Sequence, residues 1–174
     1  MAKQIRSIVR LDDVKSVYTG KNFSVRLPQE VENGHVIKLG DIEANNRDVH
    51  AGVAPVAEDK VVLIAEVPIV YDNSTLGSGQ EKYFYMEKDE VVRAYELQEN
   101  DIFSVTKEGI EGDAVVGEYL VSGAGTKLVP SATVPAKGFA AKVVREEPVG
   151  GKFSLNVTQK PSEYVVVEVV QNTK

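Results

Sequence analysis

The triplet Asp48-Val49-His50 places a carboxylate and an imidazole two residues apart. In an extended segment both side chains leave the same face. That is half of a metal or acid–base site. The other half is not written nearby. The sequence has one further histidine, His35, and no cysteine. It contains no H-x-H or H-E-x-x-H pattern, so neither histidine has a partner at metal-ligand spacing. His35 adjoins an Asn33-Gly34 turn signal, where an exposed histidine is ordinary. The carboxylates come as adjacent pairs: Asp12-Asp13, Glu58-Asp59, Asp89-Glu90 and Glu146-Glu147. Adjacent residues of a strand point to opposite faces, which suits a solvated surface better than a glycosidase pair.

The remaining chemistry-bearing patterns fail on spacing. No serine sits in a G-x-S-x-G frame. Gly123 and Gly125 lack the third glycine of a dinucleotide fingerprint, and no helix is expected after them. Gly20-Lys21 and Gly151-Lys152 lack the upstream glycine of a phosphate loop. The stretch 72–77, DNSTLG, starts like a calcium loop but has Leu76 at the fifth position and Tyr83 at the twelfth. The expectation is a non-enzymatic protein with no cofactor and no metal.

Composition says what scaffold would carry these residues. Of 174 residues, 30 are Val, against 9 Leu and 8 Ile. Valine is stiff at χ1 and fits a pleated surface better than a helix. Short apolar runs recur between Gly, Pro, Asn and Asp signals, which reads as all-β: a compact barrel or sandwich of short antiparallel strands. Asn33-Gly34 lies between 23–27 and 36–39 and predicts a type I′ hairpin, with Gly40-Asp41 closing its second strand. Residues 45–60 read as connecting chain. The run 61–65 reads as a strand buried on both faces. Residues 72–82 read as an exposed loop. Residues 87–97 fit a short helix or a strand, with strand preferred because adjacent Val91 and Val92 are weak helix formers. Strands are further expected at DIFSVT, VVGEYLV, LVPSATVP, GFAAKVVREE, KFSLNVT and SEYVVVEVVQ. VIKLGDIEA and YELQENDIFSV share a pattern that fits either a duplicated hairpin or ordinary β-turn construction.

Net charge is −6 and the pI about 5.1. Such a chain is repelled by nucleic-acid phosphates unless its cations cluster. No apolar stretch is long enough to span a membrane as a helix. The N-terminus lacks the apolar core of a secretory signal, so the N-x-[ST] triplets at Asn22, Asn73 and Asn156 predict no glycosylation. The one basic gathering is at the start: Lys3, Arg6 and Arg10. Residues 1–22 therefore read as an arm that contacts a partner or as an ordinary solvated edge strand, and 23–174 as the β-rich globular domain.

The ordered set HVIKLGDIEANNRDVHAGVAP, VVLIAEVPIVYD, VRAYELQENDIFSVT, VGEYLV and GFAAKVVREE…YVVVEVV resembles the head-decoration or cement proteins of tailed bacteriophages. The resemblance covers most of residues 23–170. It implies a β-rich module on the exterior of an icosahedral capsid, made in the host cytoplasm and bound to the major capsid protein, with homo-oligomers among its forms. Lys3, Arg6 and Arg10 would then face an acidic shell. The competing reading is a soluble β-barrel that binds a carbohydrate or another small ligand on Tyr83, Phe84, Tyr85 and Tyr95.

Overall fold

The computed structural model describes residues 4–68, 81–148 and 163–174. They form strands β1 (Val9–Asp13), β2 (Asn22–Arg26), β3 (Val36–Ile42), β4 (Val49–Val53), β5 (Val62–Ile64), β6 (Val91–Glu96), β7 (Ile102–Thr106), β8 (Tyr119–Ser122), β9 (Leu128–Ser131), β10 (Gly138–Pro148) and β11 (Glu163–Thr173). One α-helix, α1 (Lys15–Thr19), and two single 3₁₀ turns complete the described elements. The fold is all-β, as the valine content predicts.

The strands divide into two sheets. β2-β4-β3-β5-β6 close into a five-stranded barrel. The other six form an open antiparallel sheet in the order β1-β7-β11-β10-β8-β9. The chain enters the sheet at β1, builds the barrel, and returns to the sheet at β7. In the described part of 1–22, β1 is an edge strand paired with β7. Asp101 makes the return turn. Its fully buried carboxylate accepts the Gln98 amide (2.8 Å) and the Lys15 amide at the start of α1 (3.3 Å).

Strict alternation lets one strand serve two cores. In and beside β5, Val62 and Ile64 point into the barrel, while Val61 and Leu63 point to the sheet. β3 divides the same way between Ile37 and Val36, and β6 between Val92, Ala94 and Tyr95. The sheet contributes Phe103, Val105, Phe139, Ala141, Val143, Val165, Val167 and Val169 to the shared core. Full burial of each such aliphatic side chain stabilises by roughly 1.5–3 kcal/mol. The run 61–65 is therefore two-faced, as its continuous apolar character predicts.

Three local readings are corrected. Asn33-Gly34 does not close a hairpin: β2 and β3 are not neighbours, and β2 pairs with β4 and β6. Only Gly34 has positive φ (86°), whereas a type I′ turn needs it at both positions. Residues 45–60 contain β4, which runs parallel to β2. Its Gly52 carries no β-strand signature because there is no room for a side chain. A Cβ on Gly52 would come within 2.5 Å of Ile37 Cδ1 and 2.7 Å of the Arg26 carbonyl oxygen. Gly40-Asp41 does not end a strand. β3 continues through a bulge there, so the VIKLGDI of VIKLGDIEA is one strand and not a copy of the β6–β7 turn.

Elsewhere, 87–97 contains β6 and not a helix. β8 starts only at Tyr119, which leaves Val115 and Val116 in an exposed turn. The expected loop 72–80 and the expected strand KFSLNVT lie outside the described residues. Two further bulges interrupt the β10–β11 ladder. They skip Val144 on one strand and Val170 on the other, and each is 40% exposed.

Gly52→Ala should lower unfolding stability by about 1–3 kcal/mol, the usual cost of overpacking. Gly125→Ala, with open space around its Cβ, should stay within about 0.5 kcal/mol. Urea denaturation midpoints of the two variants check this.

Candidate functional site

Residues 31–35 form a polar knot between barrel and sheet. Val31 exchanges backbone hydrogen bonds with Met86 (3.0 and 2.9 Å). The Asn33 side chain does the same with the Glu66 backbone, donating to its carbonyl (2.9 Å) and accepting from its amide (2.8 Å). The Gly34 amide donates to Ile64 O, and the Ile64 amide to His35 O, both at 2.9 Å. The N-terminal segment locks on through Ser7, whose hydroxyl donates to Asn33 O and whose amide donates to Glu32 Oε2 (2.7 Å). Arg6 Nη1 donates to Glu30 (2.7 Å) and Glu32 (2.9 Å), and its guanidinium lies 4.5 Å from the Tyr85 ring centroid.

His35 closes the knot at 4% exposure. Its Nδ1 accepts from the Thr126 hydroxyl (3.0 Å) and, at 3.4 Å, from the Glu32 amide. The proton is therefore on Nε2, which is buried and meets no protein acceptor. Burial pushes the imidazole down to about 4, against the pull of Glu32. Burial alone would raise the Glu32 carboxyl. The Ser7 amide and the Arg6 guanidinium outweigh it and leave the group below the usual carboxylate range. His35 is thus a neutral structural histidine and not the exposed one expected beside a hairpin.

Arg10 lies in a second network on the sheet. Its guanidinium pairs with Asp12 and with Glu147 (2.9 Å) and lies 5.0 Å from the Tyr164 ring centroid. Asp12 also accepts from the Ser104 hydroxyl, and Glu147 from Arg145 (2.6 Å). Lys107 joins Glu163 (2.6 Å) and Glu146 (3.4 Å) nearby. Of the adjacent acids in the sequence, Asp12, Glu146 and Glu147 are partnered here by residues of other elements. Of the three basic residues expected to face a partner, Lys3 lies outside the described residues, and Arg6 and Arg10 are engaged within the chain.

Asp48 and His50 do not converge. Asp48 is exposed. The His50 Nδ1 lies 3.1 Å from Gly40 O, and its ring meets Phe23 edge to face, centroids 5.5 Å apart. Among the described residues no three His, Asp or Glu side chains are grouped to hold a metal. The expected aromatic platform is also dispersed. Tyr95 is in the shared core, Phe84 packs on the barrel core, Tyr83 lies beside Lys82, and Tyr85 lies beneath Arg6.

A concavity does exist elsewhere. A cavity of about 530 Å³ opens at the barrel mouth. Phe23, Leu39 and Val62 supply its apolar lining, and Lys38, Glu58, Asp59, Lys60, Glu96 and Lys174 its polar lining. Asn172 brings the end of β11 there, hydrogen-bonding both polar groups of the Val61 backbone (3.0 and 2.8 Å) and Leu97 O (2.9 Å). Sequence reasoning missed this site because its lining comes from five separated stretches.

Comparison with known protein families, curated proteins and solved structures finds no match.

The His35 shift fixes a pH dependence. Its folded value of about 4 lies below the ordinary 6.5, so the unfolded chain binds the extra proton in between. Stability is full above pH 6.5 and declines as the pH falls toward 4. Between pH 7 and pH 5 the loss should be roughly 2 kcal/mol. Glu32 adds a loss only below its ordinary 4.5. Denaturation at pH 7 and pH 5 should show that slope, and His35→Gln should flatten it.

Proposed function

We propose that the chain is a non-enzymatic virion protein that binds the outer surface of a phage capsid and stabilises or decorates it. The sequence resemblance supplies the partner class, the major capsid protein. The observation that carries the reading is how this chain distributes its side chains. Arg6 and Arg10 are tied to Glu32 and Glu147 in internal pairs, while aliphatic groups stand on the surface. Val115 and Val116 are 52% and 55% exposed in a turn whose Gly117 amide donates to Val143 O (2.9 Å) and whose Glu118 carbonyl accepts from the Val143 amide (2.8 Å). The bulged Val144 follows directly at 40% exposure. Apolar contacts of this kind, surrounded by charge, suit an interface.

A rigid body also suits the role. Barrel and sheet share one core, so a contact made on the sheet side is not weakened by internal ordering. A capsid repeats each contact many times, so modest affinity per copy gives high occupancy when copies are linked. The exposed valines, and not Arg6 and Arg10, are the contact residues this surface favours, since both arginines already have acidic partners.

The reading is tested by sedimenting the protein with capsids of the phage that encodes it, after stripping accessory proteins. Saturable co-sedimentation is expected. Val115→Asp with Val116→Asp, placed in an exposed turn, should weaken it by at least about fivefold without changing thermal stability. Failure to co-sediment at any concentration rejects the proposal.

A further inference from the structure

We infer that the barrel-mouth cavity binds a small amphipathic carboxylate, an aliphatic or aromatic body carrying one acid group. The inference does not rest on the capsid reading. The cavity of about 530 Å³ is within the range of small-molecule sites, and barrel mouths are a common place for them. Its chemistry is divided in two. Phe23, Leu39 and Val62 continue the barrel core outward and offer apolar surface. The rim is ionic.

The accessibility of the paired charges at the rim decides the sign of the ligand. Asp59 is engaged at both oxygens, one by Lys38 (2.6 Å) and one by the Val56 amide (3.0 Å). Glu96 is likewise engaged at both, by Lys60 (2.7 Å) and Lys21 (3.5 Å). Each ammonium carries three N–H donors. Lys38 and Lys60 each give one of theirs to these acids and keep two. Their side chains remain 45% and 36% exposed, against 16% and 17% for Asp59 and Glu96. Where the apolar surface ends, the accessible partners of these pairs are therefore the ammoniums, and the carboxylates are the covered ones. A carboxylate can accept from both lysines while its body covers Phe23, Leu39 and Val62. An ammonium would meet the two exposed lysines, while the acids they pair with are largely covered. Glu58 is the one exposed acid of the lining, and it opposes an anion only through solvent-screened repulsion.

Three probes with one apolar body separate these terms: octanoate, octanol and octylammonium, each titrated into the ¹⁵N-labelled full chain. Octanoate should shift the amides of Phe23, Leu39, Lys60 and Val62, and bind at least about tenfold more tightly than either of the others, the worth of a charge-assisted hydrogen bond. Lys38→Gln should weaken octanoate by about tenfold and leave octanol unchanged. Leu39→Trp, which fills the cavity, should abolish both when its spectrum shows a folded chain; if it does not fold, Lys38→Gln decides. Equal binding of octanoate and octanol, preference for octylammonium, shifts located elsewhere, or no shifts at all would overturn the inference.

Discussion

The structure depends on a short stretch of backbone buried on both sides. At β5, successive residues alternate between two apolar compartments, and no residue of 61–64 is more than 3% exposed. A strand in that position cannot belong to one layer alone. The barrel needs Val62 and Ile64, and the sheet needs Val61 and Leu63. A shift of register by one residue would exchange the two sets. The pairing of β5 with β3 and β6 is thereby fixed by both cores at once, and the two sheets become one body.

Polar groups at the same junction must be satisfied where water cannot reach them. The 31–35 segment achieves this with long-range partners: Met86, Ile64, Glu66, Thr126 and the Arg6-Ser7 pair. Here a turn signal has been used for tertiary packing. Gly34 is required because a Cβ there would come within 2.5 Å of Val105 Cγ2 in the sheet. The Arg6–Glu32 pair, partly buried, has its remaining lone pairs met by the Ser7 amide. Burying an ion pair is costly unless such extra hydrogen bonds are present.

The sequence made the strand content legible wherever valine or alternation was dense, as in β5, β7, β10 and β11. It hid β4, whose small residues are dictated by neighbours that only the closed barrel supplies. Asn33-Gly34 has the local chemistry of a hairpin turn, but strand pairing is settled by long-range burial, and β4 takes the place beside β2. The exposure of Val170 was also illegible: a run of five valines between 165 and 170 looks uniformly buried until a bulge rotates the last one outward. For the sites, the basic gathering at Arg6 and Arg10 could be read, while their partners Glu32 and Glu147 lie 26 and 137 residues away. The barrel-mouth cavity, assembled from barrel strands, the 58–60 connection and Lys174, left no linear trace.

The place of β11 has a consequence for synthesis. It is the last strand in chain order, yet it lies in the interior of its sheet, between β7 and β10. A nascent polypeptide emerging from the ribosome can close its barrel once residue 96 is available. Until residues 163–173 follow, β1-β7 and β10-β8-β9 have no common neighbour, and their inner edges are open to misassociation. Completion of the sheet therefore waits for one late segment, which must pair on one side with β10 and on the other with β7, 60 residues earlier at Val165–Val105.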